Sequence, residues 1–123
     1  MHAQQRLAAW QVAQRAIAPY HRAMTTPSLT AVLVECAIGS GMFRGEKAVT
    51  IETADAGPVS LFADSRLVRE RARRSLLEAY ADEHLLGDHE PVVQVLLPTE
   101  TFETGSQLIR VQRSRVHLIG DPQ

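Results

Sequence analysis

The stretch Arg66-Leu-Val-Arg-Glu-Arg-Ala-Arg-Arg-Ser-Leu-Leu-Glu-Ala-Tyr-Ala-Asp-Glu-His-Leu85 decides the fold class of this chain. Val68, Ala72, Leu76, Ala79 and Tyr80 recur at three- and four-residue steps, the spacing that lines one face of a helix. Gly87 follows as a C-terminal stop. Arg66, Glu70, Arg74 and Glu78 alternate in sign every fourth residue, which describes a solvent-facing stripe of ion pairs. The spacing predicts a helix over residues 66–85.

Upstream, Pro58 to Ala63 reads as a strand that pairs with Lys47 to Thr53, where Val49 and Ile51 share a face, so residues 47–63 form a hairpin. Leu29 to Ile38 is apolar on both faces, the pattern of a central strand. Residues 3–18 carry Ala3, Leu7, Trp10 and Ile17 at helical spacing and stop at Pro19, which lacks an N–H. Downstream, Pro91 to Leu97 and Gln107 to Gln112 are strands around a loop ending at Gly105, a second hairpin over residues 91–113. The order is α-β-β-β-α-β-β. We expect one α+β domain over residues 1–123, with about five mainly antiparallel strands in a curved sheet or partial barrel covered by two helices.

Composition agrees with a globular domain. The chain has 123 residues, 45% hydrophobic and 22% charged, which excludes collagen-like, disulfide-scaffold and disordered classes. Thirteen basic and 14 acidic residues leave a charge of -1, so no overall field recruits polyanions or anionic lipid. The longest uncharged apolar run, near Ala31 to Val34, is far short of the ~20 residues that span a bilayer. Cys36 is the only cysteine, so no intrachain disulfide forms and a reducing, cytoplasmic setting is expected, or a virion if the source is a phage. The first thirty residues hold Arg6, Arg15 and Arg22 without an acid, which we read as a packed helix rather than a targeting segment. The sequence implies no cofactor.

Two clusters carry candidate chemistry. His84, Asp88 and His89 lie where the 66–85 helix meets Gly87, and their imidazoles and carboxylate could ligate zinc or another divalent ion. Gly87 interrupts their spacing, and no H-E-x-x-H pattern is present. The basic cluster comprises Arg66, Arg69, Arg71, Arg73 and Arg74 with Arg110, Arg113 and Arg115; of these, Arg66, Arg69, Arg73, Arg110, Arg113 and Arg115 are the candidate interaction residues. Nucleic acid is disfavoured as their partner because aromatics are 5% of the chain and none interleaves with the run.

Other residues invite a chemical reading. Cys36 sits in the central strand, where a free thiol usually acts as a small hydrophobe. Glu35 needs a partner if its face is covered, with an arginine expected. Val59-Ser-Leu-Phe-Ala-Asp-Ser-Arg-Leu67 matches Leu108-Ile-Arg-Val-Gln-Arg-Ser-Arg-Val116 without a gap, which implies two related hairpins with a shared Ser-Arg-apolar ending. Charge is segregated: residues 66–74 and 106–118 are basic, whereas 78–103 carry seven acids and no Lys or Arg. Opposed patches suit head-to-tail packing of copies or docking of different subunits.

The alternating strand from Pro91, the loop ending at Gly105, the second strand and the terminal apolar turn to Ile119, with the earlier hairpin and leading helix, resemble the small head-tail connector proteins of long-tailed bacteriophages. That resemblance implies a helix-plus-barrel subunit that forms rings in the virion neck and has no enzymatic activity. The expected function is therefore a non-catalytic interaction or assembly subunit whose partners are proteins or further copies of itself. The alternatives are a small metal- or ligand-dependent enzyme built on His84, Asp88 and His89, and a nucleic-acid-binding module built on the arginine-rich helix.

Overall fold

The computed structural model describes residues 28–71, 73–87 and 90–119. The helix expected over residues 3–18 lies outside them. The strands are β1 (Leu29–Ser40), β2 (Glu46–Glu52), β3 (Pro58–Asp64), β4 (Val68–Arg71), β5 (Arg74–Asp82), β6 (Val92–Leu96), β7 (Leu108–Gln112) and β8 (Val116–Leu118). They pair antiparallel in the order β3-β2-β1-β5-β6-β7, with β4 added to β5 and β8 to β1. The sheet curls into a half-barrel. The α+β expectation is overturned: among the described residues the fold is mainly antiparallel β, no helix reaches seven residues, and eight strands replace about five.

The stretch 66–85 is where the expectation fails. It forms a 3-10 turn at Ser65–Leu67, then β4, β5 and a second 3-10 turn at Glu83–Leu85. Read at period two, Leu77, Ala79 and Ala81 face the core, while Leu76 and Glu78 are buried on the opposite face. A strand buried on both faces produces apolar residues at helical spacing as a by-product. The sequence is rich in good helix formers, but propensity is a weak prior against the row of hydrogen bonds that β1 offers β5 from Leu29–Asp82 to Cys36–Ser75. The β4–β5 turn, where Arg71 pairs with Arg74, lacks the Asn-Gly or Asp-Gly signal that marks a two-residue hairpin.

The fold is built twice. Val34 stands opposite Leu77 across the central β1–β5 pair, and each also faces the first residue of a short strand: Val116 of β8 for Val34, Val68 of β4 for Leu77. One step along, Leu33–His117 matches Leu76–Arg69; the next pairs are Val32–Leu118 and Ser75–Glu70. Further out, Ile38–Val49 matches Ala81–Val95, and Val49–Leu61 matches Val95–Ile109. A pseudo-twofold axis therefore passes between Val34 and Leu77 and relates β1-β2-β3-β4 to β5-β6-β7-β8. The correspondence differs by one residue from the gapless sequence match: Ser65 is equivalent to Arg113, since each opens its 3-10 turn. The repeated Ser-Arg pairs, Ser65-Arg66 and Ser114-Arg115, therefore do not occupy equivalent positions.

The two halves close on each other through matching turns. Thr53-Ala-Asp-Ala-Gly57 and Thr101-Phe-Glu-Thr-Gly105 share a T-x-acid-x-G pattern, with both glycines left-handed at φ 71° and 67°. Ala54 N–H donates to the Arg110 carbonyl at 2.8 Å, and Phe102 N–H to the Ser60 carbonyl at 2.9 Å. Each turn thus reaches the third strand of the other half. Inside, Val34, Ile51, Leu61, Leu77, Val95 and Val111 from all sides of the sheet form one buried cluster. The β1–β2 and β4–β5 turns share one end. At the other end the β5–β6 connection meets the start of β1 and the end of β8.

Candidate functional site

At the first end, the β1–β2 turn presents Met42 and Phe43 to solvent, 71% and 70% exposed. It is braced from several directions. The Glu46 carboxylate accepts the backbone N–H groups of Met42 and Phe43 at 3.0 and 3.3 Å, and Ser65 N–H donates to the Gly45 carbonyl at 2.8 Å. Gly45 takes a left-handed φ of 82°, and a Cβ at Gly41 would lie 2.5 Å from the Glu46 carbonyl oxygen. Two large apolar side chains, with Arg44 beside them, are held out from the barrel by a turn that has little freedom to fold them back.

The β4–β5 hairpin ends beside it. Arg71 and Arg74 stand directly opposite each other, so two guanidinium groups share one face, and Arg73 occupies the turn between them. Like charges directly opposed across a sheet are destabilising. Arg74 is tempered by neighbours: its Nη1 lies 3.9 Å from Glu35 Oε2 and 3.5 Å from His117 Nε2, and His117 Nε2 lies 2.7 Å from the same Glu35 oxygen. Arg71 and Arg73 are exposed and, among the described residues, have no ion-pair partner.

The outer face of the central pair carries two further acid–base pairs. Glu35 and Glu78 are mates under the pseudo-twofold, and their cross-strand bases, His117 and Arg69, are mates as well. Arg69 Nη2 lies 3.7 Å from Glu78 Oε2. Glu35 is half-buried and has the partner its position demanded, supplied mainly by a histidine rather than an arginine alone.

The sequence-read candidates are dispersed. Asp88 and His89 lie outside the described residues. His84 is exposed in the second 3-10 turn, where its backbone N–H donates to the capping carboxylate of Asp82 at 3.0 Å. It does not meet Glu35: Asp82 stands opposite Leu29, six strand positions or roughly 20 Å away. Among the described residues no three His, Cys, Asp or Glu side chains converge as metal ligands. Arg66 lies 4.0 Å from Asp64, and Arg110 pairs with Asp55 at 3.2 Å on the wall opposite the hairpin tip. Arg113 donates to the carbonyls of Leu86 and Val116, and Arg115 is half-buried in the third 3-10 turn. Only Arg69 and Arg73 of the six belong to the hairpin end. Arg71 and Arg74, members of the basic cluster but not among those six, complete it. Cys36 is half-buried and its thiol is pushed up to about 11 by burial, so it is no ready nucleophile.

The far end of the central pair is concave. A groove of about 720 Å³ is lined by Thr30, Ala31, Glu83, His84, Leu86, Gly87, Leu118 and Ile119. Glu83 holds the Ser28 hydroxyl at 2.7 Å and remains exposed, as does Glu90. No helix among the described residues is long and apolar enough to cross a membrane. Comparison of the chain with family models, with curated proteins and with solved structures found no match.

Proposed function

We propose that the protein is a non-catalytic assembly subunit that docks through the barrel end formed by Met42, Phe43 and Arg44 with Arg71, Arg73 and Arg74. The observation that carries this reading is the pairing of an exposed apolar tip, braced by the Glu46 carboxylate, with Arg71 and Arg73 at the adjoining hairpin tip, which have no ion-pair partner among the described residues. Aromatic residues, methionine and arginine are the side chains enriched at protein interfaces, and buried arginine and aromatic anchors carry most of their binding energy. The partner surface is apolar at its centre and ringed by carboxylates, which relieves the Arg71–Arg74 repulsion on docking. The resemblance to head-tail connector proteins implies the same class of role, a subunit that works by assembling.

Nucleic-acid binding is a second reading of the same end, because Phe43 puts an aromatic ring beside the arginines. Glu35, Glu70 and Glu78 lie along the same strands and interrupt the basic field that a polyphosphate needs. Site-specific photo-crosslinking from position 43 in source cells tests the primary reading. We expect one discrete protein adduct, lost in Arg71→Glu/Arg73→Glu and absent when the crosslinker is at Thr50. Adducts of equal yield from both positions, or an adduct only to nucleic acid, would overturn it.

A further inference from the structure

We infer that the partner is a second copy of this chain, and that the apolar, basic end of one copy seats in the groove at the opposite end of the next. This inference rests on the docking role proposed above and names its partner. Its ground is an asymmetry between two places that the pseudo-twofold makes equivalent. The β1–β2 turn and the β5–β6 connection are mates, yet one projects Met42, Phe43 and Arg44 while Glu83, His84, Leu86 and Gly87 of the other line a groove. The β4–β5 tip and the end of β8 are mates too. Arg71 and Arg74 of the tip correspond to Ile119 and Ala31, both in the groove lining.

The two ends are complementary in shape and in charge. The groove of about 720 Å³ is open to solvent and gives the tip a concave surface to seat against. Its apolar lining includes Ile119, which is 43% exposed and would be covered by Phe43. The carboxylate of Glu83 offers a counterion to an incoming arginine. Arg113 steadies the site from behind by donating to the Leu86 carbonyl at 3.2 Å. Because the knob and the hole lie at opposite ends, the contact is heterologous, and repetition gives a ring if the rotation closes or a filament if it does not.

Sedimentation of the purified full chain, with two variants and their mixture, tests this. Wild type is expected to show concentration-dependent species beyond a dimer that dissociate as salt is raised. Phe43→Ser/Arg73→Glu, which spoils the knob, and Glu83→Arg/Ile119→Ser, which spoils the hole, are each expected to be monomeric with an unchanged β-type circular dichroism spectrum. Mixed in equal amounts they should form a species of two chains, since one intact knob and one intact hole remain. If a double variant fails to fold, Arg73→Glu and Glu83→Arg alone serve, each weakening association at least about tenfold. A wild type that stays monomeric to about 1 mM overturns the inference, as does a mixture that gains nothing, or association abolished by Phe102→Ala at the other exposed aromatic and not by these variants. A monomeric wild type whose position 43 still crosslinks to a different protein overturns only the self-docking, whereas no adduct at all overturns the docking role itself.

Discussion

Glu35 illustrates how a carboxylate on a sheet face is made tolerable. Half-buried on β1, it accepts His117 at 2.7 Å and feels Arg74 at 3.9 Å, so its charge is met from two strands. A double-mutant cycle of Glu35→Gln and His117→Gln, read by urea denaturation, should give a coupling of about 1 kcal/mol, the ordinary worth of one such hydrogen bond. Glu103 is held differently. The Ser60 backbone N–H at 2.6 Å, followed by the Ser60 hydroxyl at 2.9 Å, keeps its carboxyl below the usual glutamate range. A group lowered on folding stabilises the native state above its unfolded value and loses that contribution as pH falls through its folded value. The urea midpoint of wild type should therefore drop more between pH 7 and pH 3 than that of Glu103→Gln; equal drops would show that the contact contributes nothing. Arg71 is the third case, and its sign is opposite. Arg71→Glu turns a like-charged cross-strand pair into an attractive one and should raise stability by about 0.2–1 kcal/mol while abolishing docking. Loss of stability in that variant would mean that Arg71 has a structural partner.

At the scale of elements, the β1–β2 turn is the most tightly specified piece of the molecule. Gly41→Ala drives a Cβ against the Glu46 backbone, and that backbone cannot yield without releasing the carboxylate from Met42 and Phe43. Its melting temperature should fall clearly, whereas alanine at Gly39, which meets nothing within 4 Å, should leave it nearly unchanged. The elements were unequally legible in the sequence. β1 announced itself as central by its two apolar faces, and β2 by Val49 and Ile51. Residues 66–85 were misread because Leu76, Leu77, Glu78 and Ala79 are all buried, which erases the alternation that identifies a strand. With the helix went the four-residue ion-pair stripe: Arg69, not Arg74, reaches Glu78, because cross-strand neighbours follow the register and not the sequence interval. The candidate site suffered the same way. The arginine run was visible, but its concentration at a hairpin tip, beside Met42 and Phe43, depends on strand pairing that no local pattern encodes.

For the whole molecule, the pseudo-twofold explains why one cluster of side chains can hold eight strands. Val34 and Leu77 flank the axis, fully buried, and each is in register with residues of two other strands. Leu77→Ala should cost about 2–5 kcal/mol in urea unfolding and act on both halves in one cooperative transition. Separate transitions for the halves would contradict a shared core. The same symmetry sets the functional proposal, since equivalent positions that carry opposite character give the chain a knob at one end and a hole at the other. Everything rests on residues 66–85 holding two strands, β4 and β5, with a turn at Arg73 between them. Nuclear magnetic resonance on isotope-labelled protein measures this directly. The paired strands require cross-strand Overhauser contacts linking Arg69 with Leu76 and Val34 with Leu77, together with strong sequential α-proton to amide contacts along β5. A continuous run of strong amide-to-amide contacts, with α-proton to amide contacts three residues on across 66–85, would mean a helix and contradict it.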